Sequence, residues 1–376
     1  MKTRPEPLGY SNRPGQSRQP GQAGQFIQPI QSIQPTQPLW KKEEETTGRK
    51  TAFLFRETIC GWESWGRVYQ SIEAFRPLIQ EIFRRHSLPY QEPEHLTPGT
   101  NAVFRVGKRI VKIYAPAESG LPPTWAEAAG MRLAEAAGIP TAGVVCLGEI
   151  HDRYTFPYLV MNAVEGTEAG DWRPGAASSE KALFAAEVRN LLKALRGCVR
   201  TEAAAAEAAA SGIPHVFYGN ACGSSRWKAF PDSLQAEVER TAKEALEEEA
   251  VFVHGDLTCE NVLLLPEANG SSSMGKRLFV LDFGDCQLAP FYYEWPPLVW
   301  ELFRWEPVML KTCFSEYEKE EFLRILTKAV LLHDFGGNML QETCRWADIP
   351  PSSIGNRRQA EELLRLRLSS EAAFQR

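Results

Sequence analysis

The sequence predicts an α+β chain in two lobes, a small β-sheet lobe with one main helix and a larger, mainly helical lobe. Three observations predict it. Alternating apolar residues and turn residues place strand, strand, helix, strand, strand between Thr100 and Val164. Beyond Gly166 the apolar period lengthens to that of a helix. Short apolar strands then return only around two polar motifs, at Asp256 and at Asp282.

Each element has a local cause. Residues 1–45 form a tail rich in Gln, Pro, Gly and Ser, which cannot bury enough apolar surface to offset its ordering entropy and is expected to be disordered. Residues 46–164 make the first lobe and 165–376 the second. In the first, Ile72, Phe75, Ile79, Ile82 and Phe83 recur at helical spacing, with Pro77 either kinking that helix or marking its start. Asn101 to Val106 and Arg109 to Tyr114 read as a hairpin turning at Gly107-Lys108. A helix follows from Thr124 to the Gly138 and Pro140 stop, and then strands from Val144 to Glu149 and from Tyr154 to Val164. In the second lobe, Ser179 to Leu195 and Asp232 to Glu249 are amphipathic helices with the Ala-rich Thr201 to Ala210 between them, and helix resumes from Tyr293.

Composition narrows the function. With 376 residues, 43% hydrophobic and 24% charged, the chain is globular rather than disordered overall. A net charge of -5 argues against a general nucleic-acid binder, which needs a basic face to displace counterions. Eight scattered cysteines without a CxxC pair suit neither a zinc site nor a disulfide scaffold. No apolar run reaches the ~18–20 residues of a membrane span, and the start lacks the apolar core of a secretory signal. The expectation is a cytoplasmic protein with no membrane partner.

The chemistry is concentrated in Val253-His254-Gly255-Asp256-Leu257-Thr258-Cys259-Glu260-Asn261-Val262, which sets Asp256 and Asn261 on one tight loop between apolar strands. Phosphoryl transfer needs a carboxylate near the attacking hydroxyl and a neutral oxygen ligand for magnesium, and this spacing supplies both. The second motif, Leu281-Asp282-Phe283-Gly284-Asp285, ends an apolar strand in an aspartate, where a buried carboxylate is costly unless it meets a cation or donors.

In this order, each after an apolar strand, the two motifs resemble those of the aminoglycoside phosphotransferase family, within the protein-kinase-like superfamily. The resemblance covers about Thr100 to Leu302. It implies ATP or GTP and Mg2+ as cofactors, Asp256 as catalytic base, and Asn261 and Asp282 as metal ligands. It also implies a lysine for the nucleotide phosphates, for which Lys112 is the candidate, and a glutamate to hold it. Glu127 is the family-like partner, although Thr124-Trp125-Ala126-Glu127 also matches a helix capping box, with Glu135 as the alternative. Adenine would bond to backbone groups along Tyr158 to Val164, Met161 and Ala163 being the candidates. The loop Thr97 to Ala102, which would cover the phosphates, lacks the glycine pattern of protein kinases.

Two further motifs are decoys. Gly270 to Arg277 nearly spells a Walker loop, but Arg277 stands where the magnesium-binding hydroxyl belongs and a strand follows, so a hairpin loop is expected. Asp334-Phe335-Gly336 repeats the metal motif after a helix, where Gly336 is expected as a C-cap.

Only Cys286 to Leu288 separates Asp285 from Ala289-Pro290, too little for a peptide-seating activation segment, so the acceptor is a small molecule. Glu294, Trp295 and Glu301 are the candidate acceptor residues, because carboxylates among aromatics suit an amine. Trp300 and Trp305 read rather as core packing between helices. The acceptor is either aminoglycoside-like or a metabolite such as choline or an amino sugar. From a different class, the chain is a catalytically silent kinase-like module that binds nucleotide or a partner.

Overall fold

The computed structural model describes residues 53–96, 99–116, 123–199, 206, 208, 210–214, 225–265 and 277–370. The Gln/Pro tail, the Walker-like loop before Arg277, most of Thr201 to Ala210, and Thr97 and Pro98 of the phosphate-covering loop lie outside the described residues. The described residues fall into two compact units, one from Met1–Ala128 and Ala142–Val164, the other from Ala129–Thr141 and Glu165–Arg376.

The first unit is built on a five-stranded sheet. Its strands are β1 (Glu94–His95), β2 (Ala102–Val106), β3 (Arg109–Ile113), β4 (Val144–His151) and β5 (Thr155–Asn162), in the order β1-β2-β3-β5-β4. The β2–β3 hairpin turns at Gly107, whose φ of 60° is a left-handed conformation that glycine enters without steric cost. Helix Ile72–Arg85 starts where the Ser71 hydroxyl accepts the Ala74 amide, and it runs through Pro77 without ending. Its apolar stripe packs Phe75, Leu78, Ile79, Ile82 and Phe83 into a core with Phe55, Phe104 and Phe156. The segment before this helix is tied down by polar groups as well, since the Asp152 carboxylate accepts the Leu54 and Phe55 amides at 3.2 and 2.9 Å.

The second unit is mainly helical, with helices Ser178–Gly197, Asp232–Ala245, Lys319–Leu332, Gly336–Ala347 and Arg357–Ser370 among its longer elements. Two small sheets interrupt them. β6 (Thr167–Glu168), β8 (Val262–Leu265) and β9 (Arg277–Val280) form one, and β7 (Val251–Val253) pairs with β10 (Gln287–Ala289) in the other. β10 lies just before the helical stretch expected from Tyr293, in a segment for which the sequence predicts no element, since three residues are too few to show a period.

Two sequence expectations change here. Residues 129–141, read as first-lobe sequence, pack with the second unit. The Val280 amide donates to the Pro140 carbonyl at 2.9 Å, and a Cβ on Gly130 would stand only 2.5 Å from Cys286 Sγ. Gly336 is not a C-cap, because the preceding helix is already capped at His333; it is the first residue of the next helix, and glycine is required there because a Cβ would lie 1.7 Å from the Val330 carbonyl oxygen.

Candidate active site

In the first unit, Lys112 stands on the central strand β3, opposite Val103 on one side and Leu159 on the other. It is only 5% exposed. An ammonium so withdrawn from water needs a partner, and Glu127, 1% exposed, provides it. Lys112 Nζ lies 3.0 Å from Glu127 Oε1 and 2.9 Å from Oε2. The capping-box alternative is not formed, since Glu127 turns to the lysine and the Thr124 hydroxyl is buried without a bond to it. Glu135 is exposed.

Tyr114 completes this group. Its hydroxyl donates to Glu127 Oε2, and its ring lies 5.4 Å from Lys112 Nζ. Sequence reasoning passed over it, although a residue two after a strand lysine shares that lysine's face and was the place to look. Of the adenine candidates, Met161 pairs in register with Ile110 and with Val144, while the Ala163 amide donates to the Lys108 carbonyl at 3.0 Å. An adenine contact at Ala163 therefore cannot use that amide as a donor.

In the second unit, β7 delivers His254, Gly255 and Asp256 onto a loop, and β8 begins just after Asn261. The Asn261 side-chain amide donates to both the Asp256 carbonyl, at 2.9 Å, and the Asp256 carboxylate oxygen Oδ2, at 3.0 Å. The five-residue spacing read from the sequence thus closes into one hydrogen-bonded pair. Gly255 has φ +81°, and a Cβ there would meet the Asp285 carbonyl oxygen at 2.4 Å. Only glycine fits between the two motifs.

Asp282 follows β9 but is exposed, not buried as its place at the end of an apolar strand predicts, so its carboxylate carries no burial cost. Its distinguishing feature is a left-handed backbone, φ 54°, which is uncommon outside glycine although aspartate, asparagine and histidine enter it more readily than other residues. Its carboxylate Oδ1 accepts the Gly284 amide at 3.2 Å, which turns the chain sharply at the motif.

The three acceptor candidates separate. Trp295 is fully buried against Phe314, Tyr317 and Phe322, with ring centroids 4.7, 5.0 and 5.5 Å away, and is core. Glu294 is also buried, and its Oε2 accepts the His254 and Gly255 amides at 2.7 and 3.1 Å, so it braces the loop that carries Asp256 from within. Burial pushes its carboxyl up to about 7, against the pull of the Gly255, His254 and Leu257 amides. A carboxylate inside the run Tyr292-Tyr293-Glu294-Trp295 was the sequence signal for an internal partner. Glu301 is mostly buried, and its carboxyl is pushed up to about 7 by burial, with the negative charges of Glu342, Asp256 and Glu260 adding to the rise against Arg304. It is the one acceptor candidate electrostatically coupled to Asp256 without bonding the loop. Trp300 and Trp305 pack edge to face at 4.7 Å inside the helical core.

Among the described residues, no group of three or more His, Cys, Asp or Glu side chains forms a metal cluster, and no helix is long and apolar enough to cross a membrane.

The sequence model of the phosphotransferase enzyme family matches residues 98–318, more than half of the chain, and the chain belongs to that family. Its structure is similar to the GDP complex of a mutant aminoglycoside 2'-phosphotransferase-IIIa, at 17% identity and a TM-score of 0.52, over 79% of this chain and 96% of that one. It is also similar to the GDP and kanamycin complex of APH(2'')-IIia, at 16% identity and a TM-score of 0.50, over 79% of this chain and 98% of that one. These likenesses establish the two-lobed protein-kinase-like fold. No curated protein matches the sequence.

Proposed function

We propose that this chain transfers the terminal phosphoryl group of ATP or GTP to a hydroxyl of a small, amine-bearing molecule. The observation that carries the reading is the Asp256–Asn261 pair, a carboxylate and an amide joined at 3.0 Å on the loop that leaves β7. Asp256 orients the acceptor hydroxyl and receives its proton. In a loose transition state that proton leaves late, so a carboxylate of ordinary basicity suffices.

Lys112, fixed by Glu127 and Tyr114, is the cation that meets nucleotide phosphate. Magnesium carried on a nucleotide takes one or two hard oxygen ligands from the protein. The Asp282 carboxylate and the Asn261 side-chain carbonyl are oxygen donors of that kind, so the residues fit the ion. When bound, magnesium neutralises charge on the phosphates. Glu301, sharing negative potential with Glu342, Asp256 and Glu260, favours a cationic acceptor. That is in keeping with the kanamycin bound by one structural relative, and choline and amino sugars share the chemistry.

The test is turnover by the purified full chain with magnesium and ATP or GTP against kanamycin, choline and amino sugars, read as nucleoside diphosphate release and a phosphorylated product by mass spectrometry. A phosphorylated amine supports the reading. Nucleotide binding without turnover on any acceptor favours the silent module, and absence of nucleotide binding defeats both.

A further inference from the structure

The sequence His333-Asp334-Phe335-Gly336-Gly337 has no part in the chemistry described above, yet it meets the loop that carries Asp256. It forms the junction between helices Lys319–Leu332 and Gly336–Ala347, and His333 is buried there. His333 Nδ1 faces the Phe335 amide at 3.1 Å, and an amide can only donate. Nδ1 is therefore the acceptor, and the ring hydrogen sits on Nε2. That nitrogen lies 3.3 Å from the Gly255 carbonyl oxygen, to which it donates.

The Gly255 carbonyl belongs to the peptide plane that links Gly255 to Asp256. The other polar end of the same plane, the Asp256 amide, donates to His254 Nδ1 at 3.3 Å, while His254 Nε2 donates to the Leu281 carbonyl at 2.8 Å. A peptide unit is rigid, so a bond at its oxygen and another at its N–H fix the plane from which the Asp256 side chain departs. The His333 ring is itself fixed. It packs on Tyr293 at a centroid distance of 4.6 Å, and the Tyr293 hydroxyl accepts the Asp334 amide at 3.4 Å. Behind it, Gly337 has no room for a Cβ, which would stand 2.7 Å from the Arg226 carbonyl oxygen.

We infer that His333 is a positioning residue for Asp256, its Nε2–H holding the Gly255–Asp256 peptide plane in the orientation that aims the carboxylate. This rests on the reading of Asp256 as the group that orients the acceptor. A misplacement of about 1 Å at a reacting group costs on the order of 10²-fold in rate. His333→Leu, which removes the donor, should lower kcat by ~10–100-fold with little change in the KM for nucleotide. His333→Gln keeps an N–H donor at a similar reach and should recover most of that loss.

The test uses the full chain and both variants. Nitrogen-15 NMR of the wild-type ring reads the tautomer, hydrogen exchange reads protection of the Asp256 amide, and steady-state kinetics with magnesium-ATP and any acceptor found above reads kcat and KM. An Nε2–H tautomer, with Asp256 protection lost in His333→Leu and kept in His333→Gln, supports the inference. A wild-type Nδ1–H tautomer overturns it, as does a folded His333→Leu with unchanged protection and kcat. Equal loss in both variants, with nucleotide KM rising alongside, also overturns it by showing a general packing role. If the NMR and exchange signatures hold while the wild type turns over no acceptor, the clamp on Asp256 is supported and the phosphotransfer reading is the one that fails.

Discussion

Lys112 and Glu127 form a buried ion pair, with Nζ 2.9 Å from Oε2, on which the Tyr114 hydroxyl also converges. Removing one partner of such a pair strands the other charge in a medium of low dielectric. Glu127→Ala should therefore destabilise the first unit by about 3–5 kcal/mol. Tyr114→Phe, which deletes one hydrogen bond to a charged group, should cost about 1.5–3 kcal/mol. Urea unfolding followed by tryptophan fluorescence checks the order. A Tyr114→Phe loss equal to that of Glu127→Ala would contradict the assignment of the ion pair as the dominant interaction.

The buried Glu294 carboxyl makes stability depend on pH. Its native value of about 7 lies above the 4.5 of a free glutamate, so between those two values the folded chain binds more protons than the unfolded one. Its stabilising contribution is complete below pH 4.5 and is lost as pH rises through about 7. Glu294→Gln keeps an oxygen for the His254 and Gly255 amides and removes the titration. The expected result is a smaller fall in Tm between pH 5 and pH 8 than in the wild type, read by calorimetry. Parallel Tm profiles for the two proteins would show that Glu294 does not titrate in this range.

Gly255→Ala places a Cβ 2.4 Å from the Asp285 carbonyl oxygen in a backbone of φ +81°. Strain of this kind costs on the order of 1–3 kcal/mol where the chain cannot relax. Relaxation here means moving Asp256, so activity should fall further than stability does. A variant with lower Tm but full turnover would show that the loop tolerates displacement.

The sequence carried the parts of this site whose logic is local. Asp256 and Asn261 lie five residues apart between apolar strands, so spacing singled out their loop, whereas Lys112, framed by apolar residues on a strand, became a candidate only through the resemblance that implies a phosphate-binding lysine. What it missed depends on the tertiary fold. Glu294 meets His254 across 40 residues and His333 meets Gly255 across 78, and no periodicity announces either contact. Trp295 failed as an acceptor residue because aromatic composition looks alike in a pocket and in a core, and only the packing of Phe314 and Phe322 around it decides. β10 was hidden for a different reason. Its three residues owe their strand conformation to pairing with Val251–Val253 rather than to any pattern of their own.

In the proposed function Asp282 and Asp256 divide the work, one serving magnesium and the other the acceptor. Isothermal titration of magnesium-ATP into the wild type, Asp282→Ala and Asp256→Asn tests this without knowledge of the acceptor. Asp282→Ala should lose the magnesium-dependent part of nucleotide affinity while its fold survives. Asp256→Asn should bind nucleotide as the wild type does and, once an acceptor is known, turn over ~10²–10⁴-fold more slowly. Unchanged magnesium-dependent binding in Asp282→Ala, or equal loss of binding in both variants, would contradict this division.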